Sequence, residues 1–111
     1  MKVLLWSPNG AGLHYGGAGT NAYRLYTKIG ARVDVSLACS CREQAAYDVF
    51  DKIINFRRSR CLGSFGDLLV LAAARKWIRE HHGNYDVFHG IDVFEGTVRP
   101  AIWAERLGLH A

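Results

Sequence analysis

Read along the chain, the apolar positions fall into short continuous runs separated by stretches with helical spacing. Lys2 to Ser7 (KVLLWS) is short and almost wholly apolar, which predicts a buried strand. A glycine-rich loop, Pro8 to Gly19, follows it. Ala22, Leu25, Tyr26 and Ile29 then stand at i, i+3, i+4 and i+7, an amphipathic helix, and Gly30 suits its C-terminal stop. From Arg32 to Cys39 apolar residues alternate, with Val33, Val35 and Leu37 on one side, so a second strand is expected. Glu43 to Phe50 reads as a short helix, and Lys52 to Phe56 as a third strand.

Ser64 followed by Asp67 forms a capping start for a long helix through Leu68, Leu71, Ala72 and Ile78, ended by Gly83 and Asn84. Tyr85 to His89 is a fourth strand. A last helix is expected from Arg99 to Leu107, with Pro100 in its first turn, where the missing N–H costs nothing. The order β-α-β-α-β-α-β-α predicts an α/β fold, a Rossmann-like parallel sheet with helices on both faces. The first strand should be central, with strands two and three on one side and strand four on the other. Ligands in such sheets bind at the carboxyl ends of the strands, where the strand order reverses, here between strands one and four. Pro8 to Thr20 and His89 to Gly96, the two most distinctive segments, fall at those two strand ends.

At 111 residues, half of them apolar, the chain fits one domain with an ample core. No apolar run approaches the roughly 20 residues of a membrane span, and the run after Lys2 is too short for a signal-peptide core. Three cysteines without a signal fit free thiols in a reducing compartment, so a cytoplasmic location is expected. The Cys39-Ser40-Cys41 spacing, with Cys61, matches no zinc pattern, so no metal is expected. The net charge of +4 is modest. Arg57, Arg58 and Arg60 form one basic cluster, and Arg75, Lys76 and Arg79 a second on the long helix. Apart from Trp77, aromatic residues do not interleave them, which argues against single-stranded nucleic acid. Trp77, beside the second cluster, is either a core residue or a contact with an anionic membrane surface.

Gly16-Gly17-Ala18-Gly19-Thr20 runs straight into the first helix. Glycines let backbone N–H groups approach an anion, and a helix N-terminus adds a favourable dipole, so a phosphate or diphosphate is the natural ligand. A Walker loop is excluded, because Ala18-Gly19 stands where Lys-Ser/Thr is needed. Gly17-x-Gly19-x-x-Ala22 can be read as a dinucleotide fingerprint. Its loop is long for that motif, however, and strand two ends in Ala38-Cys39-Ser40 without the acidic residue that holds a ribose; Arg42 would suit only a phosphorylated ribose, as in an NADP-type oxidoreductase.

The start MKVLL, the long loop and Gly-Gly-Ala-Gly-Thr followed by Leu25 resemble the opening of GT-B fold glycosyltransferases of the family 4 type. Tyr85-Asp86-Val87-Phe88-His89-Gly90-Ile91-Asp92, with Gly96 four residues on, is similar to that family's Asp-Val-Ile-His-x-His-Asp segment, and Ala101 to Gly108 is similar to the helix after it. The resemblance covers nearly the whole chain. It implies the N-terminal, acceptor-side part of a retaining transferase that moves a sugar from a nucleotide-sugar, UDP- or GDP-linked, to a glycan, lipid or small-molecule acceptor. No separate cofactor and no metal are implied. By position, Gly16 and Gly17 would meet the donor diphosphate and stabilise charge on the leaving group. His14 and Asn21 would meet the acceptor; His89 and Asp92 would be the catalytic pair. Two residues depart from the family pattern. Asn21 replaces a frequent His, and Ile91 replaces the second His of the His-x-His segment, which opens the alternative of a degenerate, non-catalytic module. The chain also stops after the fourth helix, and its fourth strand would be an unpaired edge. A fragment is therefore expected, needing a C-terminal domain or a partner chain, with peripheral membrane contact as a further expectation.

Overall fold

The computed structural model describes residues 1–13, 15–41, 44–57, 64–91 and 95–109. Strand β1 (Lys2–Trp6) leads to helix α1 (Gly16–Ile29), which closes through a 3-10 turn, Gly30–Arg32, into β2 (Asp34–Cys39). β3 (Phe50–Asn55) follows, then α2 (Ser64–His81), a 3-10 turn His82–Asn84, β4 (Val87–Gly90) and α3 (Glu95–Arg106). The sheet order is β3-β2-β1-β4, and every pair is parallel. The fold is thus α/β and Rossmann-like, with β1 central and the reversal of strand order between β1 and β4, as the strand pattern predicts.

Two cores follow from the period of two along each strand. Val3 and Leu5 of β1 and Val35 and Leu37 of β2 face α1, where they bury Ala22 and Tyr26. Leu4, Trp6, Ala38 and Phe88 face the other way, onto Ala74 and Ile78 of α2 and Ala104 of α3. Buried on both faces, β1 has no room for polar alternation, which is why it reads as one apolar run.

Four boundaries differ from the sequence expectation. Residues 44–49 are not helical; the Tyr47 and Phe50 rings meet edge to face at 6.3 Å across a turn, and Phe50 already belongs to β3. A register shift opposite Val35/Ser36 accommodates this earlier start. The first helix begins at Gly16, so Gly16 to Gly19 are helical rather than loop. Strand β4 runs two residues later than Tyr85. Finally, α3 starts at Glu95, which puts Pro100 inside the helix and not in its first turn; fully buried, it trades one backbone hydrogen bond for packing.

Candidate functional site at the strand-order reversal

The connection from β1 to α1 is held by turn chemistry and by a second segment that clasps it. Ser7 Oγ donates to the Gly10 carbonyl at 2.6 Å, and the Gly10 N–H donates to the Ser7 carbonyl at 2.9 Å. Gly10 adopts φ +88°, and a Cβ there would stand 2.5 Å from Gln44 Oε1, so glycine is required on both counts. The Gln44 side chain acts as a short backbone mimic. Its Oε1 accepts from the Ala11 N–H at 3.0 Å, and its Nε2 donates to the Ala11 carbonyl at 2.8 Å. The Ala45 N–H donates to Tyr15 Oη at 2.7 Å, and the Leu13 N–H to Tyr47 Oη at 3.3 Å. The segment that replaces the expected second helix therefore fixes the glycine-rich connection.

That connection delivers the N-terminus of α1 to the carboxyl edge of the sheet. Tyr15 stands at the N-cap position without a side-chain capping bond, and the first turn holds no acidic residue. Among the described residues, then, neither the N-cap nor the first turn supplies the usual side-chain acceptor for these N–H groups. Gly17 is exposed, and nothing lies within 4 Å of where its Cβ would be. Asn21, one turn on and on the same side of the helix, is also exposed. Gly19 is different: a Cβ there would meet the Gly10 carbonyl oxygen at 2.6 Å, so it serves the packing of loop on helix. A dinucleotide fingerprint needs its first glycine in a tight turn and its second open to a pyrophosphate. Here Gly17 is already helical and Gly19 is closed, so the fingerprint geometry does not form.

On the neighbouring strand, His89 pairs with Leu5 of β1 and turns its ring toward α1. Its Nδ1 lies 2.6 Å from Tyr26 Oη. Burial raises the Tyr26 hydroxyl to about 12 and lowers the His89 imidazole below its ordinary 6.5. At neutral pH both groups are neutral, and the tautomer of His89 decides which of them donates. In the tautomer with Nδ1 accepting from Tyr26, the ring proton sits on Nε2 and the half-buried His89 has a second N–H to offer beyond the pair. The Ile91 N–H continues the pairing to the Trp6 carbonyl at 3.0 Å, and its side chain packs on the α1-side core.

Gly16, Gly17, Asn21 and His89 thus belong to the same end of the fold, around the β1–β4 reversal. His14, Asp92 and Arg42 lie outside the described residues, as do Arg58, Arg60 and Cys61. Four residues that shape the site carry no obvious signal in sequence: Tyr15, Tyr26, Gln44 and Tyr47. Among the described residues no His/Cys/Asp/Glu group is arranged to hold a metal ion. Cys39 is buried, which pushes its thiol up to about 12 and leaves it unreactive, with the nearby Cys41 adding to the shift. A cavity of about 330 Å³ lies elsewhere, at the amino ends of the strands, lined by Lys2, Asp34, Ser36, Lys52 and His81 among others. Trp77 is half-buried: it packs against the α2-side cluster and stacks on His81, with ring centroids 4.5 Å apart. No described helix is long and apolar enough to cross a membrane. Neither protein-family models nor curated proteins give a match to this chain.

Proposed function

We propose that the chain is the acceptor-side half of a retaining, family 4-like glycosyltransferase. In that role the N–H groups of the first turn of α1, at Gly16 and Gly17, receive the diphosphate of a UDP- or GDP-linked sugar. The observation that carries this proposal is the pairing of an uncapped, acid-free, glycine-opened helix start with a histidine donor on the adjacent strand. An anion and a hydroxyl-bearing partner are what such a pair accommodates. As the glycosidic bond to the diphosphate breaks, negative charge grows on the leaving oxygens, and N–H groups already aimed there stabilise it without reorganisation. With Nδ1 accepting from Tyr26, the His89 Nε2–H donates to a sugar or acceptor hydroxyl nearby; Asn21 offers both donor and acceptor to the acceptor substrate, and His14 and Asp92 are further candidates by sequence position alone. A C-terminal domain or partner chain supplies the nucleotide pocket.

The test is release of UDP or GDP from a panel of nucleotide-sugars by the whole gene product, comparing the native protein with His89→Ala and Gly17→Val. Release that falls by about tenfold or more in both variants supports the proposal. Nucleotide-sugars left intact by a correctly folded whole product would contradict it and favour a degenerate, non-catalytic module. The NADP-type oxidoreductase is the weaker alternative, because Gly19 is closed by the Gly10 carbonyl.

A further inference from the structure

Away from the β1–β4 edge, helices α2 and α3 build a small basic cavity of about 110 Å³, lined by Arg75, Arg79, Trp103, Arg106 and Leu107. Its geometry follows from helical spacing. Arg75 and Arg79, four apart, share one side of α2; Trp103 and Arg106, three apart, share one side of α3, and Leu107 follows its end. The Arg75 guanidinium lies over the Trp103 ring, 5.8 Å from its centroid, which holds it in place by a cation–π contact. Arg79 and Arg106 each stand in the last turn of their helix, where the dipole favours a cation. That dipole effect accounts for Arg79 and Arg106 singly, but not for three arginines, all exposed, lining one cavity. Among the described residues that line it there is no carboxylate. Like charges brought together this way repel, and a bound anion removes the repulsion while accepting several charge-assisted hydrogen bonds. Trp103 and Leu107 supply an apolar wall beside the charge.

We infer that this cavity is a binding site for a phosphate or diphosphate ester whose apolar portion rests against Trp103 and Leu107. The volume suits the phosphate group and leaves the rest of the ligand outside. The site is separate from the proposed transfer site and does not depend on it.

Side-chain and indole NMR of the protein reads the site directly. Inorganic pyrophosphate is titrated in one arm. Vesicles of phosphatidylcholine with about one-third phosphatidylglycerol are added in the other, since a lipid headgroup carries the same chemistry. Shifts of the Arg75, Arg79 and Arg106 Nε–H signals and of the Trp103 indole N–H with pyrophosphate identify a soluble phosphate ligand; the same signals responding only to anionic vesicles identify a lipid headgroup. In either case Arg75→Gln/Arg79→Gln, and separately Arg106→Gln, should weaken binding at least about tenfold, because each removes a hydrogen bond to a charged group. Lys76→Gln, exposed on α2 and outside the lining, should leave it unchanged. No response in either arm overturns the inference. So does a loss in Lys76→Gln as large as in the arginine variants, which would mean that general charge, and not this cavity, attracts the anion.

Discussion

The Tyr26 hydroxyl and His89 Nδ1 share a hydrogen bond of 2.6 Å, joining α1 to β4 across the β1–β4 reversal. The pair does two things at once. It fixes the orientation of the imidazole, and it couples the tautomer of the ring to the direction of the bond: with Nδ1 accepting, the proton is on Nε2. Tyr26→Phe keeps the ring in the core and removes only the hydroxyl. It should cost about 1 kcal/mol of stability. Burial holds the His89 titration below its ordinary 6.5, and phenylalanine keeps the site covered, so the titration should stay below that value in the variant. Histidine-resolved NMR across pH checks this; a midpoint restored to 6.5 would contradict burial as the cause.

The same pair makes stability depend on pH. In the folded chain His89 titrates below 6.5, so between that lower value and 6.5 the unfolded chain binds more protons. Its contribution is complete above about 6.5 and is lost as pH falls toward the folded value. Urea unfolding at several pH values should show this fall, and His89→Gln should flatten it. A slope of the opposite sign would refute the assignment of a neutral, buried imidazole.

Gly17 and Gly19 should respond to alanine in opposite ways, although both lie in α1. Nothing stands near a Cβ at Gly17, so Gly17→Ala gains helix propensity and stabilises by up to about 1 kcal/mol. At Gly19 the added methyl meets a backbone oxygen, so Gly19→Ala destabilises by about 1–3 kcal/mol. Thermal unfolding of the two variants separates them; equal shifts of the same sign would show that the loop does not pack on α1 as described.

Gln44→Ala removes both hydrogen bonds to Ala11. The β1–α1 connection should then open locally, with faster hydrogen exchange at the Ala11 amide and a global loss of about 1–2 kcal/mol. Unchanged exchange at Ala11 would mean the clasp is not what orders the loop.

Under the proposed transfer function, Ile91 tests whether the departure from the pattern of the family the sequence resembles is a deficit. Its side chain packs on the α1-side core, so Ile91→His should cost about 1–3 kcal/mol and bring no rise in UDP or GDP release by the whole gene product. A clear rise in release would show that the missing histidine limits the native chain.

Much of the fold was legible in the residues. The apolar run Val3 to Trp6 and the alternation through Val35 and Leu37 mark buried strands, and the connection rules order them around β1. The segment ending at Phe50 was not legible, because Tyr47 and Phe50 have a spacing that a helical turn and a tight loop share. Their role is set by Tyr23 and Tyr15, which the chain brings near only after folding. The glycine-rich helix start was visible as composition. That Gly17 stands open while Gly19 is closed was not, since the Gly10 carbonyl decides it. The Tyr26–His89 bond joins residues far apart in sequence; Tyr26 shows only helical spacing, and nothing local marks it as the histidine's partner.

The most direct measurement is an amide-resolved NMR titration of the whole gene product, any partner chain included, with UDP and GDP, set against NADPH. Shifts concentrated at the Gly16 and Gly17 amides with a nucleoside diphosphate, and not with NADPH, are the predicted result. Amides at the start of α1 that stay unmoved by UDP and GDP, or that respond only to NADPH, would contradict a donor-diphosphate site there.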